Sequence, residues 1–162
     1  MRQFEIKAEK TINGNRFYIR PFAAFKAVNI SGEIMSLMIP VLAAATPVAE
    51  AVFRKSDEVS LLDVDAEKIA PALANMVSGI SGDKMEGFLK TLLVRHGNVS
   101  VTAKGESEPV TMTEDDADEI FCGEVQDMFV LAVEVIKANY SGFFGKLGSR
   151  FGGVIEKLLQ KV

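Results

Sequence analysis

The segment from Gly123 to Asn139, GEVQDMFVLAVEVIKAN, limits what this chain can fold into more than any other part of it. Val125, Met128, Phe129, Ala132, Val133 and Ile136 recur at helical spacing and form one stripe. Val130, Leu131 and Val135 fall on other faces of the same helix. A helix that is apolar all round has no face to offer water. It must lie at the centre of a domain or be shared with a partner. The rest of the chain therefore has to supply surfaces that surround it.

The first of those surfaces is at the N-terminus. Phe4 to Ile12 alternates, with Phe4, Ile6 and Ala8 on one face and Glu5, Lys7 and Glu9 on the other. Asn13-Gly14 follows, and then Arg16-Phe17-Tyr18-Ile19-Arg20. Alternating runs around Asn-Gly predict a hairpin, with strands near 3–11 and 16–20 that end at Pro21. Asn98 to Lys104 alternates again, and Pro109 to Met112 is its candidate partner, which predicts a second hairpin.

Helices are expected between and after the hairpins. Phe22 to Ile30 reads as a short helix, and Ser31 as the cap of a second one that Pro40 kinks or ends. Further turns of helix are expected from Pro47 to Phe53 and from Asp65 to about Ser78, with a polar loop over 54–62. A helix starting near Ser81 buries Met85, Phe88, Leu89, Leu92 and Leu93 and ends at His96-Gly97. Thr113 is placed to cap a helix whose first turn carries Glu114, Asp115 and Asp116, where carboxylates suit the positive end of the dipole. The central helix should break between Asn139 and Gly145. Beyond it Leu147, Phe151, Val154, Ile155, Leu158 and Val162 form an apolar face, with Lys146, Arg150, Lys157 and Lys161 beside it.

These elements predict an α+β fold: an N-terminal β-hairpin and a second short hairpin packed on a mostly α-helical body with a C-terminal amphipathic helix. At 162 residues one domain is expected, divided into the hairpin over 1–21, a helical part over 22–95, the second hairpin over 98–112 and C-terminal helices over 113–162.

Charge narrows the partners. The net charge of −4 argues against duplex nucleic acid, and aromatic residues are not interleaved with basic ones on the strands as single-strand binding needs. The charge is unevenly spread. Nine acidic residues and no basic one lie between Glu106 and Asp127, whereas Lys137 to Val162 carries five basic residues against Glu156. Such opposite ends would let copies of the chain stack head to tail. Pro40 and Pro47 interrupt the most apolar stretch, Ile34 to Ala49, which is shorter than the roughly 20 residues of a spanning helix. The charged, alternating N-terminus is not a signal peptide, and one cysteine forms no disulfide framework, which fits a reducing cytoplasm.

The search for chemistry yields little. His96, at an expected helix end, is better explained by the helix dipole than by catalysis. Cys122 has acidic neighbours, which would raise a thiol pKa and not activate it, and it is expected to be a small buried residue. The acidic run 114–119 lacks the loop spacing and glycine of a calcium-binding hand. Gly142-x-x-Gly145-x-x-Gly148 lacks the preceding strand of a phosphate loop. No catalytic residue, metal ligand or cofactor is expected. What remains is a packing surface: Met128, Phe129, Phe143, Phe144, Leu147, Arg150 and Phe151 are the candidate partner-binding residues, since interface cores are rich in Phe, Met and Arg.

The run FCGEVQDMFVLAVEVIKANYSGFFGKLGSR, from Phe121 to Arg150, resembles the tail assembly chaperones of long-tailed bacteriophages and related prophages. The likeness rests on Phe129, Glu134, Val135, Asn139 and the step Gly142-Phe143-Phe144, with the N-terminal hairpin agreeing in position. The resemblance implies a non-enzymatic protein of the host cytoplasm, absent from the mature virion. Its client would be the long, hydrophobic, helical tape-measure protein, kept soluble until tail-tube subunits polymerise around it. A homo-oligomer without stable membrane association is expected, and in many phages a frameshift yields a longer form. The alternative is a small peripheral membrane or adaptor protein that docks through the basic amphipathic C-terminus.

Overall fold

A four-stranded antiparallel sheet lies against helices, in an α+β arrangement. The computed structural model describes residues 5–44 and 80–159, with side chains placed for 5–36 and 80–142. The elements are β1 (Ala8–Ile12), β2 (Asn15–Ile19), α1 (Ala24–Ala44), α2 (Gly82–Leu93), β3 (Val99–Thr102), β4 (Val110–Thr111), α3 (Glu114–Phe121) and α4 (Val125–Leu159). The elements expected over 47–53, 54–62 and 65–78 lie outside the described residues.

Asn13 and Gly14 both take positive φ, 51° and 84°, which is the backbone a two-residue hairpin turn requires. The turn sets the register, pairing Ile12 with Asn15 and Lys10 with Phe17. β1 starts later than the expected residue 3, although the Lys7 N–H still reaches the Ile19 carbonyl at 2.7 Å. The second hairpin is present, with a two-residue β4. The two hairpins also join. β2 pairs with β3, Phe17 opposite Val101 and Ile19 opposite Val99, so a single sheet runs in the order β1-β2-β3-β4. Those four side chains are buried, and Tyr18 and Ser100 between them are half-exposed on the other face.

Helix α4 runs through the expected break at 139–146 without interruption. Asn139 explains why. Its Nδ2 donates to the Val135 carbonyl one turn back, while its Oδ1 accepts the Phe22 N–H at 2.8 Å. The amide that looked like a helix end instead ties the entry to α1 onto the middle of α4. One turn further, buried Tyr140 donates its hydroxyl to the Ala27 carbonyl of α1 at 2.7 Å. Burial pushes its pKa up to about 12, with the Glu33 carboxylate adding to the shift. Val130, Leu131, Ala132, Val133 and Val135 are all buried, which confirms that this part of the helix is enclosed on several sides. Val125, expected in the buried stripe, is exposed at the first turn.

The N-terminal helices merge in the same way. Ser31 does not cap a second helix, since its hydroxyl donates to the Val28 carbonyl inside an unbroken α1, and the helix also continues through Pro40 to Ala44. Thr113 does cap α3, and Asp116 completes a reciprocal capping box with it. Gly123, at φ 80°, then turns the chain from α3 into α4. On the core side, Phe121 of α3 stacks on Phe17 of β2 with ring centroids 5.8 Å apart.

Candidate functional site

The two residues weighed for chemistry, His96 and Cys122, both depart from their expected placement. Helix α2 ends at Leu93, and the buried Asn98 amide, not His96, donates to its Leu92 carbonyl at 2.9 Å. His96 is exposed and meets Phe22 edge-on at 6.0 Å. Partial desolvation of the ring first, and then the Lys26 and Arg95 charges, hold its pKa below the ordinary histidine value. Cys122 is exposed at the end of α3, against the expectation of burial, because the turn at Gly123 carries it away from the core. Among the described residues no group of His, Cys, Asp and Glu could hold a metal ion. An open cleft of about 550 Å³ between α1 and α2 is lined by Glu33, Asp83, Lys84 and Arg95 among others. It brings charges of both signs together without a nucleophile and base in contact.

The candidate partner-binding residues all lie on one element. Met128 and Phe129 are half-buried against the core at the start of α4. Phe143, Phe144, Leu147, Arg150 and Phe151 follow on the same unbroken helix, their side chains outside the described set. Counted along α4, positions 129, 133, 136, 140, 143, 147 and 151 are separated by three or four residues throughout, the spacing of one helix face. Val133 and Tyr140 on this line are buried, and Ile136 packs on the core.

A second apolar surface was missed in the sequence. On α1, Ala27, Ile30 and Ile34 face inward. Phe25, Val28 and Met35 face outward, and Phe25 is 92% exposed. Large apolar side chains set in a row on a helix surface are a feature of interaction sites. The signal was a seven-residue recurrence, Phe25 to Gly32 and Val28 to Met35. Reading Ser31 as a cap divided it between two short helices.

The sequence match that decides the family spans both surfaces. A model of the family described as "Phage tail assembly chaperone protein, TAC" matches residues 13–152. The chain belongs to the phage tail assembly chaperone family. No curated protein and no solved structure matches it. The match begins just after β1 and takes in β2, β3, β4, α1, α2, α3 and α4 as far as Gly152, so the chaperone's seven candidate residues all fall inside it. Family membership supports a chaperone role in tail assembly, inside the host cell, with tail proteins as partners. Among the described residues, no helix is long and apolar enough to cross a membrane.

Proposed function

We propose that this chaperone is non-enzymatic and binds the tape-measure protein, holding that long apolar helix soluble in the host cytoplasm until tail-tube subunits assemble around it. The client would dock along α4 at Met128, Phe129, Phe143, Phe144, Leu147 and Phe151, with Arg150 at the rim. In the finished tail the chaperone would be absent. The observation that carries this reading is the continuity of α4 within the family match: a single helix begins against the core and extends its apolar spacing to residue 151. A helix laid against such a face uses the same three- and four-residue anchors as the helix-in-groove mode of recognition. Opposite charges at 106–127 and 137–162 would order several copies along one client.

The test is co-expression with a tape-measure fragment. The soluble yield of the fragment should rise with the chaperone present. It should fall back to its level without the chaperone when Phe143→Asp and Phe151→Asp are combined. A fragment equally soluble with the wild-type chaperone, the variant or neither would overturn the reading.

A further inference from the structure

Among the described residues the sheet has two open edges, β4 with two residues and β1 with five. An edge strand leaves N–H and C=O groups ready to bond another chain. Lys10 is the central residue of β1. It lies opposite the fully buried Phe17, so its side chain leaves the sheet on the core face. Ala8 and Ile12, two residues away on either side, pack into the core from that face. Ordinary alternation would put an apolar residue between them. Instead the Lys10 ammonium reaches Glu134 of α4 at 4.0 Å, and the same carboxylate oxygen lies 3.5 Å from the Lys137 ammonium. The Lys10 and Glu134 side chains keep 21% and 16% of their exposure. The start of β1 is also irregular. Ala8 pairs with Ile19, yet the Lys7 N–H bonds to that same Ile19 carbonyl, a bulge with two residues facing one.

We propose that Lys10, held by Glu134, closes the outer edge of β1 to the addition of a strand from another chain. The two charges sit against the core, and their remaining contact with water offsets the cost of placing them there. A strand added beside β1 would lie over the pair and remove that water. Its own core-face side chains would meet a lysine and a carboxylate in place of an apolar surface, so the desolvation cost would fall on the new interface. The face on which the charge lies is what matters. Glu9, exposed on the outward face, stays hydrated whether or not a strand is added and imposes no such cost. Lys10 therefore contributes specificity in place of stability. An apolar side chain of similar length there should leave the monomer as stable or more so. This guard acts on the sheet and is independent of client docking along α4.

The test is amide hydrogen exchange of the full-length chain at low and high concentration, with sedimentation velocity on the same samples. The two-residue turn makes Ile12 and Asn15 a hydrogen-bonded pair, so the N–H groups of Glu9 and Thr11 point to the open edge. In the wild type these two amides should exchange rapidly at both concentrations. In Lys10→Met they should slow about tenfold or more at high concentration, as strands add along the edge and larger species sediment. The melting temperature at low concentration should hold or rise. Lys10→Arg keeps the charge and should match the wild type. If Lys10→Met alone misfolds, combining it with Glu134→Gln removes the carboxylate as well and reads the same quantity. Lys10→Met with no concentration dependence at Glu9 and Thr11 would overturn the proposal, and so would Lys10→Arg that associates equally. Wild-type amides already protected at low concentration would overturn it too, because the chain itself would then cover the edge. Copies ordered by their opposite charges would alter sedimentation and leave these amides unchanged, so this inference and the proposed function can each fail alone.

Discussion

Single polar side chains close this fold by bridging elements distant in sequence. Asn139 and Tyr140 together fix α1 against α4. Arg20 does the same for the sheet, its guanidinium donating to the Gly97 carbonyl at 2.8 Å and to the Ser100 hydroxyl at 3.0 Å. Two residue-scale contacts, the Tyr140 bridge and the local Thr113–Asp116 cap, lead to pH predictions of opposite sign. Tyr140 is neutral when folded, and burial raises its pKa to about 12. Between the ordinary tyrosine value near 10 and that raised value the unfolded chain loses a proton that the folded chain keeps, so stability falls as pH rises through this window. Tyr140→Phe should remove that alkaline loss, and at neutral pH it should cost about 1 kcal/mol for the hydrogen bond to Ala27. Urea midpoints at pH about 7 and about 11 check both. Asp116 behaves the other way. Its Oδ2 accepts the Thr113 hydroxyl at 2.7 Å and the Thr113 N–H at 2.8 Å, which hold its carboxyl below the ordinary aspartate value. Its contribution is present above about pH 4 and is lost as pH falls through the depressed folded value. Thr113→Ala should cost about 1 kcal/mol at neutral pH, lowering Tm by roughly 2–4 °C, and should flatten the acid limb of the stability profile.

At the scale of elements, what could be read in advance was whatever depends on neighbours in the chain. The first hairpin is legible because Asn13-Gly14 alone specifies the turn, and α3 because Thr113 and Asp116 are three residues apart. Gly14→Ala tests that local logic. A Cβ at φ 84° is strained, and it would come within 3.1 Å of the Lys104 side chain. The cost should be about 1–2 kcal/mol, with the strand register kept, as urea unfolding and amide chemical shifts would record. The misread elements share one cause. Ser31 and Asn139 carry hydrogen-bonding groups that serve caps and breaks equally well, and here they bond one turn back, while Asn139 also reaches Phe22 across the fold. The pairing of β2 with β3 had no local signal, since α1 and α2 separate the two strands in sequence. The outward stripe on α1 disappeared for the same reason that the helix did: once it is cut at Ser31, neither half is long enough to display a seven-residue recurrence.

For the whole molecule, the decisive dimension is the length of α4. Its 35 residues span about 50 Å, more than the width of a compact body of this chain length, whose radius of gyration would be about 15 Å. One end of the helix is committed to the core. Among the described side chains, the buried apolar residues of α4 from Val130 to Tyr140 join the sheet, α1, α2 and α3 in one core. A chain ending after Gly142 would therefore keep all of these contacts, including the Asn139 and Tyr140 bridges to α1. It would lose the C-terminal basic residues and five of the seven candidate docking positions. The expected outcome is a truncated chaperone that still unfolds cooperatively, with Tm within a few degrees of the full chain, and no longer raises the soluble yield of a co-expressed tape-measure fragment. A truncated chain that still rescues the fragment would move the docking site off the C-terminal half of α4. One that fails to fold would assign residues 143–162 to the core.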